Sequence, residues 1–235
     1  MRKIEFWYSI GSTYTYLSTQ RLAQIETENE VVFEWSPFSV RSRMIEMENV
    51  PFMAEKKRDK IDYMWRDVQR RANFYGFDAK VPAPYPLKEF DLANKVAILG
   101  KDQGWIKEYT ILTYKKWFLE HLEPGSEPNL SSTLKEIGLD SDSVIKQAQT
   151  DEIEQKYLKN TEMAKNKGIF GSPTFIVENE VFWGDDRCED AIKWLSKYYK
   201  TPLGQCAKMV LPQNLNLNYQ PPKKYFVQYL SGDKD

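Results

Sequence analysis

The sequence predicts an α/β fold, a four-stranded mixed sheet carrying a large all-helical insertion. Three observations predict it. The chain opens with a strand–helix–strand pattern over residues 3–35. Strand signals then vanish from about residue 41 to 166. A strand–strand–helix pattern follows over 174–200. Taken alone, this order leaves the insertion-bearing sheet as one option among several.

The elements follow in chain order. "KIEFWYS" (3–9) alternates apolar and polar at Ile4, Glu5 and Phe6, the period of a half-buried strand. "GSTYTYLSTQRLAQIETE" (11–28) shifts to helical spacing, with Tyr14, Leu17, Leu22 and Ile25 on roughly one face. "EVVFEW" (30–35) returns to strand, with Val31, Phe33 and Trp35 on one side. Two strands joined through a helix make a parallel pair with a right-handed crossover. In "KIDYMWRDVQRRANFYG" (60–76), Ile61, Met64, Trp65, Val68, Ala72 and Tyr75 fall at helix spacing, and Gly76 stops the run. The prolines of "VPAPYP" (81–86) forbid both helix and ladder, so this is a rigid loop. Helical patterns resume over about 90–123, ending at "EPGSEP", and over about 130–167, ending at Gly168. The charge runs "EKKRDK" and "RDVQRR" read as solvated helix faces.

"TFIV" and "EVFW", joined by Glu178-Asn179, form a tight hairpin. "DDRCEDAIKWLSKYY" (185–199) is helical, with Asp186 and Glu189 in capping-box spacing. The sheet domain is therefore discontinuous, built from 1–40 and 167–200, with 41–166 as the helical insertion. Residues 201–235 lack periodicity and read as an irregular C-terminal arm wrapped on the body or on a partner. No internal repeat is present.

Composition narrows the function. With 41% hydrophobic and 14% aromatic residues the chain has material for a real core. The net charge of −1 argues against a nucleic-acid binder, which carries a basic excess. No apolar run approaches the ~20 residues of a membrane span. The N-terminus lacks the apolar core and small-residue cleavage site of a signal peptide, so a cytoplasmic location is expected. Only Cys188 and Cys206 occur, with no C-x-x-C, which disfavours a disulfide framework or structural zinc. The single histidine, His121, reads as a charge near a helix C-terminus. Chemistry based on a histidine triad or a multi-histidine metal site is thereby disfavoured.

The stretch "GIFGSPTFIVENEVFWGDDR" (168–187) resembles the Gly-x-Phe-Gly-x-Pro-Thr segment and following Gly-x-Asp-Arg of the 2-hydroxychromene-2-carboxylate isomerases and kappa-class glutathione transferases. The opening "FWYSIGSTYTYLS" resembles that family's first strand and helix, where a Ser-Pro-Tyr-Ser-Tyr-like sequence replaces a redox Cys-x-x-Cys. "ENVPFMAEKKRDKIDYMWRDVQRRANFYG" resembles its inserted helices, so the likeness covers roughly residues 3 to 200. It implies a thioredoxin-like fold of the DsbA type, with a cis peptide bond before Pro173. One departure stands out. The family's proline after the catalytic serine is Thr13 here, which loses a preset φ and predicts a slightly looser loop.

The resemblance implies glutathione as cofactor, bound as a thiolate. Ser12 would donate its hydroxyl to the sulfur, and the start of the first helix would favour the negative charge. Helix ends supply ~0.3–2 kcal/mol and a hydrogen bond to a charged group ~1.5–3 kcal/mol. Together they would lower a thiol pKa by roughly one to three units. Read without the family, Ser12 is a helix N-cap, and the two roles can coexist. The resemblance also implies that Ser172, ahead of Pro173, offers its backbone to the cysteinyl part. Asp185, Asp186 and Arg187 belong to the block whose Asp and Arg meet the γ-glutamyl end. Asn49 and Lys60 match positions that reach the other end, with Lys60 on the glycyl carboxylate. Tyr85, with Trp65 or Tyr63 nearby, would line an aromatic wall for a flat acceptor between sheet and insert, although aromatics at helix spacing are more often plain core.

The activity implied is a glutathione-dependent isomerase. The alternatives are a kappa-class transferase, which keeps the conjugate, and a non-catalytic glutathione- or peptide-binding scaffold. A disulfide oxidoreductase of the same fold is disfavoured because residues 11–14 supply no thiol. The expected partners are a small aromatic or electrophilic substrate and a second copy of the chain, with Tyr219, Tyr225, Phe226 and Tyr229 of the arm available to the homodimer contact.

Overall fold

The computed structural model describes residues 2–49 and 57–200, the last three by backbone alone. The arm over 201–235, its four aromatic residues and Cys206 lie outside the described residues, as does 50–56. The chain runs β1 (Arg2–Tyr8), α1 (Thr15–Thr19), α2 (Leu22–Asn29), β2 (Val31–Pro37), α3 (Val40–Glu46) and α4 (Arg58–Tyr75). It continues through α5 (Phe90–Gln103), α6 (Ile106–Glu120), α7 (Asn129–Glu136), α8 (Ser141–Ala148) and α9 (Asp151–Asn166). It then forms β3 (Thr174–Val177), β4 (Glu180–Trp183), a 3-10 turn at Asp185–Arg187 and α10 (Cys188–Lys200).

The four strands form one mixed sheet in the order β2-β1-β3-β4. β1 and β2 are parallel, with Arg2 opposite Val31 and Tyr8 opposite Pro37. β3 runs antiparallel to both β1 and β4, pairing Thr174 with Trp7 and with Trp183. The alternation in β1 decides which core each residue enters. Ile4, Phe6 and Tyr8 face the larger cluster, where Phe6 stacks on Tyr8 at 5.1 Å and on Phe175 at 5.3 Å. Trp7 faces the opposite side, with Phe38, Val40, Ala164, Ile169 and Ile176. A sheet buried on both faces explains why Phe175, Ile176 and Val177 of β3 run on as consecutive apolar residues rather than alternating with polar ones.

The larger core continues from the sheet into Val96, Tyr109, Trp117 and Leu134 of α5, α6 and α7, so sheet and helical segment share one interior. Residues through Ser196 form one compact unit. Among the described residues no helix is long and apolar enough to cross a membrane.

Three expected helices are broken. The run over 11–28 divides into α1 and α2 at Gln20–Arg21, where Thr19 Oγ1 takes the Tyr16 carbonyl at 3.0 Å and Arg21 N–H bonds back only three residues, to Ser18. Side-chain competition for backbone groups is the usual way threonine ends a helix. The run over 90–123 divides at Gly104, left-handed at φ 88°. It closes at His121, the expected helix end, whose ring meets the Lys80 carbonyl at 3.0 Å. The run over 130–167 becomes α7, α8 and α9, with Asp140 capping α8 through Asp142 and Ser143 N–H. α4 ends at Gly76 as its spacing predicts. The capping-box spacing of Asp186 and Glu189 is not used. Glu189 pairs with Arg21, and Asp186 with Arg187 at 3.0 Å.

Candidate active site

The site grows from the loop Ser9–Ser12 at the C-terminal end of β1. The loop is braced from the helical layer. Asn94 Oδ1 accepts the Ile10 N–H at 2.8 Å while its Nδ2 donates to the Ile10 carbonyl at 2.9 Å. Tyr114 Oη donates to the Ser9 and Ser12 carbonyls at 3.0 and 3.1 Å. Burial raises the Tyr114 pKa well above that of an ordinary phenol, so the brace stays protonated. Gly11 is required: its φ is 126°, and a Cβ would lie 2.1 Å from the Phe90 ring.

Ser12 does not cap a helix. Its N–H bonds to Ser9 O at 3.0 Å, and α1 starts three residues later behind Tyr14, which makes no side-chain cap. With α1 only five residues long, the helix dipole offers a thiolate less than the sequence predicts. The Ser12 hydroxyl instead donates to the Ser172 carbonyl at 2.7 Å. Ser172 Oγ accepts the Ser9 N–H and shares a hydrogen bond with Thr15 Oγ1, both at 2.9 Å. The Ser172 carbonyl is thus already engaged, while its N–H has no partner among the described residues. The Ser172–Pro173 bond is cis, and the Pro173 carbonyl accepts the Gly184 N–H at 2.9 Å. Where a proline would preset φ, Thr13 supplies a side-chain anchor. It is buried, and its hydroxyl meets Met64 Sδ of α4 at 3.1 Å.

The turn Asp185–Arg187 follows directly from β4. Asp185 is 2% exposed, whereas Asp186 and Arg187 present their side chains to solvent. Asp185 Oδ2 lies 2.7 Å from a terminal nitrogen of Arg71, close enough for charge pairing but off the line of a hydrogen bond. Burial pushes the Asp185 carboxyl up to about 6, against the pull of Arg71. Arg71 also donates to Tyr75 Oη at 2.8 Å and stands 4.0 Å from Asp186. Arg21 stacks on the Tyr75 ring at 3.6 Å. Asp67, one turn earlier on α4, accepts from Tyr14 Oη at 3.0 Å.

Arg71, Asp67, Tyr14 and Arg21 escaped the sequence reading, and the "RDVQRR" run is not simply a solvated face. Asp67 and Arg71 stand four residues apart, one above the other on a helix, and this spacing is the signal that could have found them.

The remaining predicted residues scatter. Asn49 is exposed just beyond α3, its N–H on the Met44 carbonyl at 2.8 Å. Lys60 is exposed in the first turn of α4. Of the two candidates beside Tyr85, the structure brings Trp65 to it and leaves Tyr63 apart. Trp65 is buried and meets Tyr85 edge-on at 6.1 Å, so both belong to packing, and burial raises the Tyr85 phenol pKa. Tyr63 points to solvent beneath the Arg70 guanidinium, 5.3 Å away. Cys188 is free and buried, its thiol pushed up to about 12 by burial. Among the described residues no group of three His, Cys, Asp or Glu is placed to hold a metal ion.

This geometry has known counterparts. The family model of the DSBA-like thioredoxin domain matches residues 3–195. The chain belongs to the DSBA-like thioredoxin domain family. A 2-hydroxychromene-2-carboxylate isomerase of Sphingobium xenophagum is 23% identical over 188 residues, covering 80% of this chain and 95% of the relative. One of Pseudomonas putida is 22% identical over 184 residues, covering 78% and 89%. A solved structure of a 2-hydroxychromene-2-carboxylate isomerase superposes with a TM-score of 0.74 at 22% identity, covering 84% of this chain and 98% of that one. In this DSBA-like chain the loop Ser9–Ser12 stands at the end of the first strand, facing the Ser172–Pro173 corner.

Proposed function

We propose that the chain is a glutathione-dependent isomerase acting on an unsaturated aromatic substrate. One observation carries it: the Ser12 hydroxyl, on a loop fixed by Tyr114 and Asn94, stands 2.7 Å from the carbonyl of Ser172, whose N–H takes no partner among the described residues. The names of the relatives supply the reaction class. The donor set suits a γ-glutamyl tripeptide. The Ser172 N–H meets a peptide carbonyl in strand-like fashion. Asp186 and Arg187 offer a carboxylate and a guanidinium to the zwitterionic end. The glycyl end is assigned to Lys60 and Asn49 on the family resemblance alone. When bound, glutathione supplies a thiolate nucleophile that is also a good leaving group.

Ser12 turns its hydroxyl from the Ser172 carbonyl towards the incoming sulfur, exchanging a neutral acceptor for a charged one. That exchange favours the thiolate, since hydrogen bonds to charged groups are roughly twice as strong. Tyr114 and Asn94 keep the Ser12 backbone fixed while the hydroxyl reorients. Among the described residues Ser12 has no neighbouring base, so we assign it as a donor and not as a nucleophile. The same proposal includes a cytoplasmic homodimer, checked by light scattering.

The test is turnover of an isomerisable 2-hydroxychromene carboxylate with and without glutathione. The expected result is glutathione-dependent turnover with no net loss of free thiol. Thiol loss stoichiometric with product would instead make the protein a transferase, and turnover independent of glutathione would overturn the proposal.

A further inference from the structure

The turn Asp185–Arg187 makes up one end of the proposed glutathione site, yet only three residues long it has little structure of its own. Gly184 before it has φ 119°, and its N–H bonds to the Pro173 carbonyl. What fixes the far side of the turn is α4. Arg71 reaches Asp185 at 2.7 Å and Asp186 at 4.0 Å, and is itself held by Tyr75 Oη at 2.8 Å. Tyr75 is in turn covered by the Arg21 guanidinium, 3.6 Å from its ring centre, with the Arg71 guanidinium 5.7 Å away. The Ser12 side is tied to the same helix through Tyr14–Asp67 and Thr13–Met64. One helix therefore sets both halves of the site.

We infer that Arg71 is a positioning residue that holds the Asp185–Arg187 turn in register with Ser12, so that glutathione meets a preformed γ-glutamyl subsite. This rests on the glutathione reading above. Arg71 acts through Asp185 and Asp186 and need not touch the tripeptide. Without it, the buried Asp185 loses the cation nearest to it, leaving Arg21 as the positive charge facing it, against the like charges of Asp186 and Asp67. The turn then relaxes outwards to hydrate its carboxylate, and binding must first reorder it.

Cys188 supplies a reporter that needs no glutathione. It follows the turn directly, is 1% exposed, and is shielded from thiol reagents as long as the turn stays docked.

The experiment compares wild type with Arg71→Met, Arg71→Lys and the milder Tyr75→Phe. The glutathione Kd is measured by calorimetry, turnover at saturating glutathione by assay, and Cys188 labelling by a disulfide reagent mapped by mass spectrometry. Arg71→Met is expected to weaken glutathione on the order of tenfold, with kcat little changed and Cys188 labelling faster. Arg71→Lys, which keeps the charge without the planar fork, should recover part of both effects. Tyr75→Phe should show the same pattern more weakly. Unchanged glutathione affinity and unchanged Cys188 labelling in Arg71→Met, beside normal binding by wild type, overturn the inference alone. Absence of binding by wild type overturns the glutathione reading itself, and the positioning role with it.

Discussion

Replacing Asp185 by asparagine should change how stability depends on pH, by an amount set by burial. Asp185 is 2% exposed, and its carboxyl is pushed from an ordinary 3.8 up to about 6. The folded protein thus holds this proton more tightly than the unfolded chain. Well below pH 3.8 both states are protonated and no penalty applies. As pH rises towards and past 6 the unfolded state releases its proton first, and stability falls. Moving a carboxyl from 3.8 to about 6 corresponds to about 3 kcal/mol. Asparagine has no proton to lose. The gap in unfolding free energy between Asp185→Asn and wild type should therefore shift by about 2.5 kcal/mol in the variant's favour between pH 4 and pH 7.5, the rest of the effect lying below pH 4. Urea unfolding followed by circular dichroism across that range measures it. Taking the gap as a function of pH cancels the fixed cost of leaving Arg71 without Asp185, which would obscure a single-pH comparison. Two parallel pH profiles would refute the reasoning. So would a gap moving the other way, which would mean that Arg71 outweighs burial and holds the carboxyl low.

Three further substitutions follow from the same geometry. Gly11→Ala places a Cβ 2.1 Å from the Phe90 ring at φ 126°, and should cost on the order of 2–3 kcal/mol in denaturant unfolding and displace Ser12. Tyr114→Phe removes the donor shared by the Ser9 and Ser12 carbonyls, and should cost about 1–3 kcal/mol in the same assay because those buried acceptors lose a partner. Thr13→Pro removes the Met64 contact, and a falling midpoint would mean that the hydroxyl anchor matters more to this loop than a fixed φ.

Much of the fold was legible in the sequence because strand and helix periods are local. β1 and β2 follow from the alternation around Ile4–Phe6 and Val31–Trp35, and the β3–β4 hairpin from two short apolar runs across Glu178-Asn179. The break at Gln20–Arg21 was not legible, because Leu17, Leu22 and Ile25 are all buried and keep helical spacing across it. The four-residue spacing of Asp67 and Arg71 shows that they share a face of α4, but their roles depend on what lies opposite that face, more than a hundred residues away in the case of Asp185. Trp65 and Tyr63 make the converse point. Two residues apart, they face opposite sides of one helix, so helix geometry allows only one of them beside Tyr85, and the structure places Trp65 there.

The most direct measurement is a pH titration of the thiolate absorbance of bound glutathione, in wild type and in Ser12→Ala, with calorimetry to establish saturation. The account predicts that both proteins bind the tripeptide. Only wild type should ionise its thiol well below the ordinary value near about 8.5. A flat calorimetric trace, or a thiol that ionises identically in the two proteins, would contradict it.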